Sequence, residues 1–371
     1  MSRRVLLSMA ASAVLVVVAV LVAGFSLTHG SRDASTASAD VPGQATPASP
    51  ATSPPRSAMA SMPSSSHSSK KPGSHGAKPE VARSVNCGPD PHLCGFPDAT
   101  NTGVPAGVTL RSVPGEVSSG PGWTSNAQGD VEVSGNGAVF AGYSVHGSVD
   151  VTGSDVTVKD NAISNSGNDI SGDGVNLTGN PSNVTIENNT ISSPYGSHGA
   201  SGVFAGIKDV TGEARGTRVL GNDIADASTG VQLYIGLIEN NYIHDEALAS
   251  AESHLNGTTS NGSTVPLTIQ HNTVFNPNGQ TDAVSLFEDF GVEANVVIND
   301  NLLAGGGYVV YGGQNPGGPQ AYNIRITNNR FSTIYYKQSG YYGYITAFNP
   351  DAPGNIWSGN VWDSNNKPLG D

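Results

Sequence analysis

The chain has 371 residues, with 47 glycines, 23 prolines, 17 Lys and Arg, and 30 Asp and Glu. Residues 1–84 hold eight basic and three acidic side chains, which leaves nine against twenty-seven in the remainder, a net of −18. That excess excludes a nucleic-acid partner, whose capture rests on cations meeting phosphate, and argues against adhesion of the remainder to anionic lipid.

Arg3 and Arg4 precede a run without charge from Val5 to Thr28. A helix of about 20 such residues crosses a bilayer. Residues 1–28 therefore read as a signal peptide or a signal anchor. A sequence resembling a cleavage site, Ala37-Ser38-Ala39, lies well past the apolar run. Both readings place the rest of the chain outside the cell, secreted or anchored to the outer face of the membrane, with membrane contact only through this segment if it is uncleaved. Residues 29–84 are rich in Ser, Pro and Ala and show no apolar periodicity, so they read as a disordered stalk. His67 and His75 fall in that stalk and read as solvated linker residues. A single folded domain is expected over residues 85–371, as a monomer.

Cys87 and Cys94 are the only cysteines, and in an exported chain they predict a local disulfide. Residues 94–110 are dense in turn formers and end in a short apolar stretch, as expected of a cap that feeds the first coil.

From there a nine-residue phrase recurs, for example NVTIENNTI at 183–191, NVVINDNLL at 295–303 and NIRITNNRF at 323–331. Eight copies carry Asn at the seventh place: Asn161, Asn189, Asn222, Asn241, Asn272, Asn301, Asn329 and Asn360. Their spacings of 28, 33, 19, 31, 29, 28 and 31 residues fit a repeat whose loops vary while its rungs do not. Alternating β-branched and polar residues followed by Asn-rich turn chemistry write a strand and a bend into each copy. Stacked about 4.8 Å apart, such rungs form a parallel β-helix. The Asn column then builds the fold: each amide can bond its copy on the next coil, and Asn tolerates the left-handed bend.

The stretch CGFPDATNTGVPAG, the NVTIxxNxI rungs, the run NLLAGGGYVVYGG and the ending GNVWDSNNKPLG resemble secreted actinobacterial right-handed β-helix proteins similar to the pectate-lyase-like superfamily. The resemblance covers residues 87–371. It implies an all-β, right-handed parallel β-helix with a glycan-related extracellular role. In that group the coil after an Ile-His-Asp phrase carries His-x-Asp-Gly; this chain has His254-Leu255-Asn256-Gly257, with Asn in place of the acid.

A second strand follows each rung, at 173–177, 229–233, 282–286, 307–311 and 343–347, with a weaker copy at 256–259. Alternation turns Val175, Leu177, Val231, Leu233, Val284 and Leu286 inward. Asn176, Gln232, Ser285 and Thr346 then face outward in one file, joined by Thr259. The stripe suits sugar hydroxyls, or is an ordinary solvated face; Asn176, Gln232 and Ser285 are its candidate substrate-binding residues. Asp173, Thr229, Asn256 and Asp282 head that strand on four consecutive coils. Asp173 and Asp282 would then lie three coils, about 14 Å, apart, too far for the acid pair of glycoside hydrolysis.

The densest ionisable region holds His244, Asp245, Glu246, Glu252 and His254, with His271, Asp282, Glu288, Asp289 and Glu293 on the next coils. His254, with an acid among Asp245, Asp282, Glu288 and Asp289, is the candidate acid/base set. Oxygen ligands for Ca2+ are available there, although no metal site is assigned. Lys208, Arg215 and Arg218 cluster before one rung, and Arg218, Arg325 and Arg330, built into rungs, read as surface positions. A polyanionic substrate would be repelled by the acidic domain unless a metal intervened, so a neutral polysaccharide is the easier partner. Eight of the twelve tyrosines lie beyond residue 300; Tyr341 and Tyr342 are the exposed candidates for stacking on sugar. Two functions stay open: a polysaccharide hydrolase or lyase, and a non-catalytic glycan-binding or envelope protein.

Overall fold

Val and Ile alternating with polar residues make the rungs strands. Thr185–Glu187, Arg218–Leu220, Leu267–Gln270, Ala294–Asn299 and Tyr322–Thr327 bury alternate residues, all of them apolar, and leave the residues between them more open. In the computed structural model, which describes residues 86–165, 172–194 and 202–370, these strands stack in parallel into a solenoid with three faces. The signal segment and the stalk lie outside the described residues.

The first face is a sheet of nine strands, from Val139–Ala141 to Ile356–Ser358. The second has ten, from Arg111–Val113 to Val361–Trp362, and the third eleven, from Ser119–Gly120 to Gly343–Thr346. The named strands pair in parallel except at the start of the third face, where Ser119–Gly120, Trp123–Ser125 and Val131–Val133 run antiparallel. Trp123 closes that end of the core, 5.0 Å from both Phe140 and Tyr143. Inside, Phe140, Val158, Ile186, Val219, Ile238, Ile269, Ile298 and Ile326 form one unbroken first-face column. Each such side chain contributes roughly 1.5–3 kcal/mol by leaving water.

The Asn column runs along the bend between the first and second faces and is at most 1 % exposed. Each Nδ2 donates to the Oδ1 of the next ladder Asn at 2.9–3.0 Å and to a first-face carbonyl one coil back at 2.8–3.0 Å. Each Oδ1 after the first also accepts the backbone N–H of the ladder Asn before it, as from Asn222 to Asn241 at 2.9 Å, while Asn161 Oδ1 accepts from Tyr143 N–H. Both donors and both acceptor sites of an interior amide are thereby used. The left-handed residue is not the ladder Asn but the one before it: Asp160, Asn188, Gly221, Asn240, His271, Asp300, Asn328 and Gly359, with φ of 51–69°.

Residues 86–103 precede the first coil, which begins at Arg111–Val113, without lying over its end. They run as a strap across the second face, from Asn86, whose N–H donates to Asp363 O, back to Gly103, whose N–H donates to Gly221 O. The Cys87–Cys94 disulfide forms. Cys87 and Phe96 pack with Phe275, Leu302 and Ala304, and Phe96 stacks on His271 at 5.4 Å. Under the strap's start, Arg330 is buried rather than at the surface. Its Nε donates to Asp363 Oδ1 at 2.9 Å, while Asp363 Oδ2 accepts the Gly88 N–H. Arg218 and Arg325 are exposed, as read from the sequence.

Candidate functional site

The third face is where the backbone does something unusual. Gly174, Gly206, Gly230 and Gly257 stand in register, followed by Ala283 and Val309. A Cβ on Gly230 would sit 2.3 Å from Ile243 Cγ2 and 2.5 Å from Gly257 O, so this column points into the core beside the apolar residue that follows it. Two inward neighbours in succession break the alternation, and the residue before the glycine is turned outward. Two outward files result. One reads Asp173, Ala205, Thr229, Asn256, Asp282; the other reads Glu132, Asp150, Asn176, Lys208, Gln232, Thr259, Ser285, Tyr311, Thr346.

Ala205 and Lys208 belong to Val203–Asp209, a coil that the repeat reading passed over. Asp173 and Asp282 are consequently four rungs apart rather than three, about 19 Å at the usual strand spacing. The missing coil was signalled by AGIK, which matches the DGVN, TGVQ and NGTT of its neighbours in placing a small residue before a core side chain.

Between these files and the flanking loops runs a cleft of about 740 Å3. Its floor is Thr229, Gln232, Asn256 and Thr259. One wall is the loop carrying Ser250, Glu252, Ser253 and His254; the other is formed by Asn261, Phe287 and Asp289 in the turns after the strands, with Gln280, Thr281, Phe204 and Tyr311 completing it. Among the described residues, no Lys or Arg lines it. Phe287 and Tyr311 lie 5.4 Å apart, and Tyr311 continues through Tyr308 to Tyr342 and Tyr341.

The structure divides the sequence candidates. His254, Asp289 and Gln232 line the cleft, joined by Glu252. Tyr341 and Tyr342 are exposed at the far end of the aromatic chain. Ser285 is fully buried, its hydroxyl directed at Thr258 O at 3.4 Å, and Asn176 is held by Asp150 Oδ1 at 2.9 Å, away from the cleft lining. Asp245 follows a second-face strand and binds His244 Nδ1 at 2.7 Å, while His244 Nε2 meets Asp223 at 2.9 Å. Burial opposes protonation of His244, but the two carboxylates prevail and its pKa is pushed up to about 9.

Asp282, in register with the cleft's Asn256, and Glu246 are buried, and none of their four carboxyl oxygens has a hydrogen-bond partner among the described residues. Their backbones are tied together: Asn276 Nδ2 donates to Asp282 O and Asn278 Nδ2 to Glu246 O, with the two amides bonded at 3.1 Å. Burial pushes Asp282 well above the carboxylate range, the Ser285 hydroxyl opposes this, and Glu246 adds to it. Burial likewise pushes Glu246 up to about 8. Glu288 lies at the other end of Asp282's strand, in the turn after Asp282–Leu286, with Oε1 facing the Glu293 N–H at 3.4 Å. Glu293 is buried, accepts from Ser260 Oγ and Gly262 N at 2.6 Å, and is raised to about 7 by burial. Among the described residues, no three His, Cys, Asp or Glu side chains converge to hold a metal ion, and no helix is long and apolar enough to cross a membrane.

No protein-family model matches this chain, and neither a curated protein nor a solved structure is detectably similar to it.

Proposed function

We propose that this is an extracellular glycan-binding β-helix protein of the pectate-lyase-like kind, whose third-face cleft takes a neutral polysaccharide. The observation that carries the reading is the lining itself: hydroxyl and amide side chains with Phe204, Phe287 and Tyr311, and no Lys or Arg among the described residues. Hydroxyls and amides exchange hydrogen bonds with sugar hydroxyls, and aromatic rings accept the apolar face of a pyranose. A polyuronate would meet Glu252 and Asp289, while Lys208, 4.9 Å over the Phe204 ring, already faces Asp173 at 3.6 Å. The disulfide fits an oxidising compartment.

A second reading adds turnover, because Glu252, His254 and Asp289 bring titratable groups to the cleft, as a hydrolase needs. Asp282 and Asp245 do not line it. The test is to titrate the full chain with neutral and uronic polysaccharides and to follow reducing ends in parallel. Binding of a neutral polymer that falls at least tenfold in Gln232→Ala, about 1.4 kcal/mol, supports the cleft reading; preference for a polyuronate overturns it. New reducing ends from a neutral polymer that disappear in Glu252→Gln or Asp289→Asn would make the protein a hydrolase.

A further inference from the structure

Beside the cleft lies a second hollow of about 460 Å3, at the corner where the third face turns toward the first. Three successive turns cross from one to the other within two residues: Gln232 to Tyr234, Asn261 to Gly262, and Asp289 to Phe290. The ridge between them is Tyr234, whose hydroxyl accepts from Gln232 Nε2 at 2.8 Å and from Asn261 Nδ2 at 3.4 Å, both cleft residues. On the far side of that ridge Phe290 is 78 % exposed and Val210 47 %, with Arg215 and Glu213 at the rim. The ring is not on a loose loop. Phe290 N–H donates to Asn261 O at 2.9 Å, and a Cβ on Gly262 would lie 2.4 Å from Gly291 O, so the two turns are packed backbone to backbone.

We propose that this hollow is a second subsite for the same neutral glycan, with the Phe290 ring as the platform for a pyranose. The inference rests on the cleft reading and adds that the bound chain passes over the Tyr234 ridge. An aromatic ring on a backbone-packed turn offers contact at little cost in ordering, and both hollows have the volume of small-ligand sites. The cleft supplies hydrogen bonds and the corner supplies stacking. Short ligands would fill only the cleft, and longer ones both.

The experiment is calorimetry on the full chain with cello-, xylo-, manno- and chito-oligosaccharides of two to eight units. In the wild type, affinity for the recognised series rises with length. Phe290→Ala loses about five- to tenfold for the longest ligand, the size of a stacking contact, with no change for the shortest, and Phe290→Trp restores the gain. Near-UV circular dichroism checks that each variant is folded. A wild-type affinity independent of length, a length dependence that survives Phe290→Ala, or an equal loss for short and long ligands overturns the subsite and leaves the cleft reading standing. Failure of every series to bind at any length overturns both.

Discussion

An amide in the Asn ladder and the residue just before it look alike in sequence and differ sharply in what they do. Asn241 takes the backbone N–H and side-chain amide of Asn222 on its Oδ1 and donates to Val219 O and Asn272 Oδ1, all inside the protein. Asn241→Ala strands those partners where water does not reach, and we expect a loss of about 2–4 kcal/mol, since each orphaned buried group costs about 1–3. Asp300 occupies the left-handed column with φ 55°. Asp300→Gly should stay within about 1 kcal/mol of wild type because glycine enters that region freely. Urea midpoints at fixed slope check both; equal losses would show that the ladder is no more than a row of turn formers. Sequence reading found the ladder from its invariance but put the left-handed bend on it. The column before it mixes Asp, Asn, Gly and His, and only their shared φ reveals them as one class.

The first-face strand was legible because nothing interferes with its alternation and a buried amide follows it in every coil but the first. The third face was harder to read. Its glycine column breaks the period, so a whole coil went unseen and Asp282 seemed closer to Asp173 than it is. That column makes its own prediction. Gly230→Val forces a branched side chain against Ile243 and the Gly257 carbonyl and should cost about 3 kcal/mol or leave the protein unfolded. The same column already carries Val309 on a later coil, so Val309→Ala should cost only about 1–2 kcal/mol for the lost methyl groups. The strap had no period to read. Its place is set by long-range contacts with Asp363, Leu302 and His271. Replacing Cys87 and Cys94 by Ser frees a short loop and should cost about 2–3 kcal/mol. Amide exchange over residues 86–103 should rise with it. Unchanged exchange there would mean that the Phe96 and Asp363 contacts hold the strap unaided.

Across the whole molecule, acidity was legible from composition, whereas the partition of its acids was not. A cluster such as His244 to His254 is contiguous in sequence, yet a solenoid sends successive residues to different faces. His244 therefore sits between Asp245 and Asp223, Glu246 goes inside, and Glu252 and His254 reach the cleft. Burial has a collective consequence for stability. Glu246 at about 8, Glu293 at about 7 and Asp173 at about 6 all hold protons in the folded chain that the unfolded chain gives up near 4.5 or 3.8. His244, at about 9 against an ordinary 6.5, acts in the same direction at higher pH. The native state thus binds more protons than the unfolded state from about pH 4 to pH 9, and unfolding free energy must fall as pH rises, by up to about 1.4 kcal/mol per pH unit for each group in its window. Asp98 and Asp245, held below the ordinary carboxylate value, reverse the slope only in more acidic solution. Stability should peak near pH 4–5 and decline toward pH 9. Glu246→Gln, which cannot ionise, should flatten the decline between pH 4.5 and 8 and gain on wild type at the upper end, while His244→Gln should flatten it only above pH 6.5. Urea titrations at half-unit pH intervals measure this; a wild-type profile that is level or rising between pH 5 and 8 would show that these groups ionise as freely folded as unfolded.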